Sequence, residues 1–222
     1  MFLRRFIKRS VALTCAYYVY DDWRARRRHT TGELATCSGA RHAGLDIENS
    51  LAYVERVYGD YLTYSGLDQF NGTIAEIGPG DSFAVALRIL GGGAEHVHAV
   101  DRWISRRDTE AQRRIYGALA ERHDLARLFD GVPAEETIRG LTYHAGKPAE
   151  KFFRESGLRF DAILSRAVME HLYDPLAALG DMATALTPGG VMIRRIDLRD
   201  HGMFTGHHPL TLLTFSDSLH RL

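Results

Sequence analysis

The 222-residue chain lacks the features that mark several specialised classes of protein. Two cysteines, Cys15 and Cys37, are too few for a disulfide framework or a zinc site, so a reducing compartment is expected. The 28 basic and 28 acidic residues cancel, which leaves no net charge. The apolar run over 11–20 is about half of a bilayer span, and the Asp-Asp-Trp after it does not suit signal cleavage. Secretion is therefore not expected.

The charges are unevenly distributed along the chain. Residues 1–30 hold eight Lys or Arg and two Asp, whereas the other 192 residues hold 20 basic and 26 acidic ones. Segment 2–10 places apolar and basic side chains largely on opposite helical faces, which fits either a helix on an anionic membrane surface or one packed on its own domain. The polar, glycine-bearing segment 30–44 indicates a linker. We predict a basic arm and linker over 1–45 and one folded domain over 46–222.

Within the predicted domain, helical and strand patterns alternate. Apolar residues at helical spacing occur in segments 49–67, 82–90, 109–129, 149–156 and 175–186. Short segments with strand-like composition occur at 73–77, 96–100, 141–144, 160–165 and 190–197. This alternation predicts an α/β fold with a doubly wound, mainly parallel sheet and helices on both faces.

A glycine turn follows the first predicted strand, in the segment IAEIGPGDS at 74–82. In a sheet of this kind the ligand lies past the carboxyl ends of the strands, and the first glycine turn marks that place. Gly78 and Gly80 can adopt backbone angles closed to other residues and carry no Cβ. Asp81 or Ser82 can cap the next helix, whose free N–H groups favour an anion. We therefore expect a ligand against bare backbone.

Two ligand classes do not fit this turn. A dinucleotide fingerprint would need a third glycine where Phe83 stands, and a triphosphate loop would need Gly-Lys-Ser/Thr. What remains is Glu76, the two glycines and an acid, Asp101, at the end of the second strand, where it is placed to accept ribose hydroxyl protons. A nucleoside without a pyrophosphate is the predicted ligand.

Four segments in order, AEIGPGDS, HAVDR, FDAILSRAVMEHLYDP and LTPGGVMI, resemble the class I S-adenosylmethionine-dependent methyltransferases over about residues 70–200. The resemblance implies a Rossmann-like methyltransferase fold and S-adenosylmethionine as cofactor. It also implies cofactor-binding roles for residues of the glycine turn and of the next two strand ends: Glu76, Gly78, Pro79, Gly80, Asp81, Asp101, Arg102 and Ser165. Trp103 and Arg166 are further candidates beside the adenine and the substrate.

The chain departs from this family pattern in two places. After the third strand, where many members have an acid that meets the adenine, this chain has His144, Ala145 and Gly146. The family fold ends in a helix and an antiparallel hairpin, whereas only 25 residues follow Asp197, with a helix expected to start at Ser216 or the next residue. We therefore expect the sheet to lack that hairpin.

Catalysis of methyl transfer needs few side chains, because the sulfonium is already a strong electrophile. His171 is the candidate general base for a hydroxyl acceptor, with Glu170 beside it. A packed, structural histidine is the alternative. The one conspicuous cluster of candidate metal ligands, with carboxylate and imidazole groups, comprises Asp200, His201, His207 and His208. No spacing fixes these residues on one face, so no metal is predicted.

The predicted function is methylation of a small-molecule acceptor by a cytoplasmic enzyme, and peripheral membrane contact through the basic arm stays open. Segments IDLRDHG and HPLTLLTFSDSLHRL are similar to methyltransferases encoded near cell-surface glycan functions, which favours a sugar or glycolipid hydroxyl. The acidic body of the chain has no basic, aromatic-interleaved surface for nucleic acid. Two alternatives stay open: a truncated or inactive cofactor-binding domain, and a nicotinamide-dependent oxidoreductase, against which Phe83 and Glu76 count.

Overall fold

A computed structural model describes residues 7–32, 34–36, 39–216 and 218. The chain forms two compact units: one comprises Ala35–Ile196, and the other joins the residues up to 34 with those from 197 onward. The helix predicted over 2–10 and the one predicted from Ser216 lie largely outside the described residues. The predicted domain boundary at residue 45 stays a prediction.

The larger unit is built on a parallel sheet. Its five strands are β2 (Gly72–Ile77), β3 (Ala94–Asp101), β5 (Leu141–Ala145), β6 (Phe160–Arg166) and β7 (Leu186–Arg195). They lie in the order β5-β3-β2-β6-β7, and every pair is parallel. Two short strands, β1 (Ala35–Thr36) and β4 (Ile104–Ser105), pair separately, also in parallel.

Helices cover both faces of this sheet. In the larger unit they are α2 (Ile47–Ser65), α3 (Ala84–Gly91), α4 (Thr109–His123), α5 (Ala149–Glu155) and α6 (Pro175–Ala185). Apolar residues of α2, α3 and α4 form one core with side chains such as Ile74, Val97 and Leu164. Those of α5 and α6 form a second core with the alternate strand residues, such as Ala75, Val100 and Ile163. The predicted doubly wound α/β fold is therefore confirmed.

The strand order places a switch point beside the central strand. The chain runs from β2 outward to β3 and β5, then returns to place β6 on the other side of β2 and continues to β7. A crevice forms at the carboxyl ends of such strands because the connections leave them in opposite directions. The glycine turn after Ile77 lies at this position.

Some element boundaries differ from the predicted ones. Helix α2 begins after Asp46, whose carboxylate accepts a hydrogen bond from the backbone N–H of Asn49, so the helix starts two residues before the predicted segment. Helix α4 ends at His123 because Asp124 adopts the left-handed conformation, with φ of 54°. Strand β7 begins four residues before the predicted start, and among the described residues no strand pairs with its outer side.

The smaller unit contains α1 (Val11–Thr30) and the segment from 197. Ser10 caps α1, and Lys8 joins it to the later segment, because its carbonyl accepts from Thr205 N–H and its ammonium donates to the Gly202 carbonyl. No helix in the described ranges is both long and apolar enough to cross a membrane.

Candidate functional site

The glycine turn is a tight connection whose conformation requires glycine. Gly78 and Gly80 have φ of 72° and 70°, the left-handed region that other residues rarely adopt. A Cβ on Gly78 would approach Val168 Cγ2 to 2.5 Å, and one on Gly80 would approach the Gly39 carbonyl oxygen to 2.7 Å. The neighbour that excludes a side chain at position 80 is therefore the protein backbone. Pro79 stands between them, partly exposed.

Asp81 anchors the segment that precedes α2. Its buried carboxylate accepts hydrogen bonds from the backbone N–H groups of Arg41, His42 and Ala43, at 2.9 to 3.1 Å. It does not cap α3, since that helix begins at Ala84 after the N-cap residue Phe83, which makes no side-chain cap bond. Residues 41–43 of the segment predicted to be a linker are thus held against the glycine turn. A cofactor-binding role for Asp81 stays a prediction.

Glu76 is a buried carboxylate at the end of the central strand. The residue is 5% exposed, and its Oε2 atom has no hydrogen-bond partner among the described residues. Burial raises its pKa to about 8, because the charged form loses its hydration. A buried acid without a partner is costly to the fold and is expected where a ligand supplies the partner.

Asp101 ends β3 on the same face as Glu76. Glu76 pairs with Ala99, and side chains two residues apart in a strand share a face. Asp101 Oδ1 accepts a hydrogen bond from Trp103 N–H at 3.2 Å. Burial raises the pKa of this carboxyl to about 6, opposed by its hydrogen bond to Trp103 and by the positive charge of Arg107. The two acids predicted from the sequence therefore lie on one side of neighbouring strand ends.

Arg107 is a residue that the sequence interpretation missed. Its guanidinium lies 4.1 Å from the ring centre of Phe83 and 4.7 Å from that of Tyr143. It donates hydrogen bonds to the Gly80 carbonyl at 3.2 Å and to Glu135 at 3.1 Å. Arg107 thus joins the glycine turn to β5 and to the 3₁₀ turn that holds Glu135. One arginine in a basic loop carries no sequence signal for such a role.

Arg102 and Ser165 lie at the ends of β3 and β6 but point to different partners. Arg102 lies over the ring of Tyr173, at 4.2 Å, and 3.8 Å from a carboxylate oxygen of Glu150 on α5. Ser165 is fully buried, and its hydroxyl accepts a hydrogen bond from Arg194 at 3.1 Å. An adenine contact by Arg102 stays a prediction.

Two further arginines surround an acid of α2 near the ends of β6 and β7. Asp60 pairs with Arg166 at 2.6 Å and with Arg195 at 3.2 Å, and these interactions keep the pKa of Asp60 below its usual range. Neither contact has a sequence signal, because the partners are more than 100 residues apart.

The catalytic candidates follow β6. Glu170 and His171 belong to the 3₁₀ turn Met169–His171, where His171 is exposed and Glu170 is partly buried. Ala167, which begins the loop, has a positive φ of 53°, a strained conformation for a residue with a Cβ. The structure thus places both residues at the carboxyl end of the strand next to β2.

The cluster of carboxylate and imidazole residues noted in the sequence lies in the smaller unit, and its members have other contacts. Asp200 is buried and accepts from the backbone N–H groups of Gly202 and Phe204. His201 lies 3.2 Å from Asp197, and His208 Nδ1 accepts from Leu210 N–H. In the described ranges no group of three or more His, Cys, Asp or Glu residues is arranged to hold a metal ion.

The fold and these side chains define a class of protein: a doubly wound α/β domain with a glycine turn and two partly desolvated acids at its switch point. Comparison with known families matches residues 52–217 to the family described as methyltransferase domain. The chain therefore belongs to the class I methyltransferase family, whose cofactor is S-adenosylmethionine.

The solved structures that match this chain share little sequence with it. Precorrin 8W decarboxylase from Methanobacterium thermoautotrophicum is 18% identical (TM-score 0.39, 63% of this chain and 61% of that one). A candidate S-adenosyl-L-methionine-dependent methyltransferase from Methanococcus maripaludis is 14% identical (TM-score 0.39, 64% and 56%). The chain thus spans less than two thirds of the length of either protein. A search of curated proteins returned no match.

The residues at the switch point fit this cofactor. S-adenosylmethionine carries positive charge on its sulfonium and amino groups and two ribose hydroxyls. Glu76 offers an unpartnered, buried carboxylate oxygen, and Asp101 offers a partly desolvated carboxylate at the next strand end. Both are hydrogen-bond acceptors, which is what those groups of the cofactor require.

Proposed function

We propose that the protein transfers the methyl group of S-adenosylmethionine to a small-molecule acceptor, with a hydroxyl of a sugar or glycolipid as the acceptor group. The observation that carries the proposal is the buried carboxylate of Glu76, whose Oε2 has no partner, at the end of the central strand of a methyltransferase domain. The cost of burying this acid is offset when a cationic ligand group binds it.

The residues of the chain have separate tasks in this proposal. The cofactor supplies an electrophilic methyl group on a sulfonium. Glu76 would bind a positively charged group of the cofactor, and Asp101 would accept hydrogen bonds from the ribose hydroxyls. The glycine turn with its anchored segment would exclude water from one side of the cofactor. His171 would accept the proton of the acceptor hydroxyl while that oxygen takes the methyl group and the methyl–sulfur bond breaks, so that no alkoxide has to form in water.

A hydroxyl acceptor is supported by the residues near β6. His171 is exposed at the carboxyl end of this strand, and its imidazole ring can accept a proton. Removal of a hydroxyl proton needs such a base, whereas transfer to a neutral amine does not need one before the methyl group moves.

Calorimetric titration with S-adenosylmethionine and, separately, with NAD tests the cofactor. We expect binding of the first and none of the second. A matched pair of variants locates the site: Asp101→Ala weakens binding, whereas Asp108→Ala, which removes an exposed cap of α4, leaves it unchanged. Binding of NAD in place of S-adenosylmethionine would refute the proposed chemistry.

Turnover is tested with S-adenosylmethionine labelled on its methyl group and a panel of sugar, glycolipid and amine acceptors. Appearance of label in a hydroxyl acceptor, with a loss of kcat but not of cofactor affinity in His171→Gln, supports the proposal. Tight cofactor binding without transfer to any acceptor indicates a binding domain without turnover. Transfer to amines alone contradicts the hydroxyl assignment.

A further inference from the structure

One face of helix α1 is both apolar and exposed. Leu13, Ala16, Tyr20 and Trp23 recur at intervals of three and four residues, the spacing of a single stripe on a helix. Leu13 is 48% exposed, Tyr20 57% and Trp23 53%, and Val19 beside the stripe is 43% exposed. The opposite side of the helix is packed, since Thr14 is buried and Tyr18, Asp22 and Ala25 are partly buried.

The same stripe continues into basic residues at the carboxyl end of the helix. Arg24 and Arg27 are exposed on this side, and the Arg27 guanidinium lies 5.7 Å from the ring centre of Trp23. Trp23 in turn stacks on Tyr20, with ring centres 6.0 Å apart. The charge of Arg26 is offset by an ion pair with Asp22 at 2.7 Å. Arg24 and Arg27 are exposed together with one acid of the helix, Asp21, which leaves an excess of basic charge at this end. We call Leu13, Ala16, Tyr20, Trp23, Arg24 and Arg27 the α1 stripe.

Exposed apolar side chains are concentrated in this part of the molecule. Of the large apolar side chains that are exposed among the described residues, more than half belong to the smaller unit, although it has far fewer residues. In that unit Leu198, Leu210 and Leu213 are also exposed. Such concentration marks an interaction surface, because isolated exposed apolar residues are otherwise scattered over a protein.

We propose that the α1 stripe binds an anionic membrane surface, with the helix lying in the plane of the interface. Leucine and the aromatic rings enter the boundary between headgroups and acyl chains, where Tyr and Trp are favoured. Arg24 and Arg27 lie at the level of the lipid phosphates and attract anionic headgroups. The proposal is independent of the methyl transfer proposed above.

Charge favours a lipid surface over a second copy of the chain. A parallel pair of α1 helices would place Arg27 against Arg27, and an antiparallel pair would place Arg27 against Leu13. A lipid interface accommodates both halves of the stripe, because apolar and phosphate layers lie next to each other there.

Flotation with vesicles tests the proposal on the full chain. We expect binding to vesicles of phosphatidylcholine with phosphatidylserine and little binding to vesicles of phosphatidylcholine alone. The variant Arg24→Gln/Arg27→Gln should bind about 30-fold more weakly at low salt, since each arginine near such a surface contributes about 1 kcal/mol. The control Arg114→Gln/Arg127→Gln removes two exposed charges from the larger unit and should bind as the parent does.

The apolar contribution is tested with Tyr20→Ala/Trp23→Ala, for which we expect a loss of at least about ten-fold. The control Tyr64→Ala/Leu67→Ala removes exposed apolar groups from the larger unit and should have no effect. In a Trp103→Phe background, Trp23 is the single tryptophan, and its emission should shift to the blue when anionic vesicles are added.

Two outcomes overturn the proposal. One is equal vesicle binding by the parent and both α1 variants, which would place the membrane contact elsewhere. The other is an absence of binding to anionic vesicles by the parent chain, whatever its oligomeric state; light scattering would then look for a dimer that Tyr20→Ala/Trp23→Ala abolishes. That result would make the α1 stripe a self-association surface.

Discussion

Replacement of Glu76 by glutamine should make the cofactor-free protein more stable and should lower its affinity for the cofactor. The pKa of this buried carboxyl is raised from 4.5 to about 8, so the native state retains a proton that the unfolded state has released at neutral pH. Because the native state binds more protons, the contribution of Glu76 to stability is full below about pH 4.5 and is lost as the pH rises from there to about 8. Glutamine has nearly the same shape and does not titrate.

The size of the effect follows from the two pKa values. Between about pH 6 and pH 8, linkage predicts that the cofactor-free parent loses about 2 kcal/mol of unfolding free energy through Glu76. For a chain of this length that is a fall in Tm of about 4 to 8 °C. The Glu76→Gln variant should lack this component and should melt above the parent at pH 8.

Cofactor binding should show the opposite dependence. If the cofactor's positive charge is held by ionised Glu76, binding displaces the proton, and affinity in the parent rises more than ten-fold from about pH 6 to pH 8. Scanning calorimetry of both proteins at three pH values, with and without S-adenosylmethionine, measures both effects. A parent whose melting temperature and affinity are both as insensitive to pH as those of Glu76→Gln would refute the reasoning.

Three further changes test the architecture of the site. Asp101→Ala should weaken S-adenosylmethionine binding by about 1.5 to 3 kcal/mol in calorimetry, as expected for hydrogen bonds to a charged group, and an unchanged affinity in a folded variant would limit Asp101 to its bond with Trp103. Asp81→Ala leaves three backbone N–H groups without their carboxylate and should cost about 3 kcal/mol in urea unfolding; a loss below about 1 kcal/mol would contradict the anchoring role. Val168→Ala should partly restore the stability lost in Gly78→Ala, because the atom that a Cβ at position 78 would meet is a methyl carbon of Val168. Equal melting temperatures for Gly78→Ala and for the double variant Gly78→Ala/Val168→Ala would rule out that contact.

Much of the fold was predictable because its elements have local causes. Five predicted strands and five predicted helices of the larger unit exist, with ends shifted by a few residues. The start of α2 was mispredicted because Asp46, Asn49 and Ser50 all have side chains able to cap a helix, and only packing selects one. The end of α4 was mispredicted because apolar spacing continues past Asp124, where the backbone leaves the helical conformation.

Three features follow from the order of residues alone: the α/β class, the position of the glycine turn, and the placement of Glu76 and Asp101 at neighbouring strand ends. They do so because periodicity and parallel pairing are properties of short segments. Two contacts became apparent from the folded chain: Asp81 holds the segment at 41–43, and Arg107 lies against Phe83 and Tyr143. These contacts join residues far apart in the chain, and the choice among possible partners of a carboxylate or guanidinium depends on which of them the packed helices and strands bring within reach.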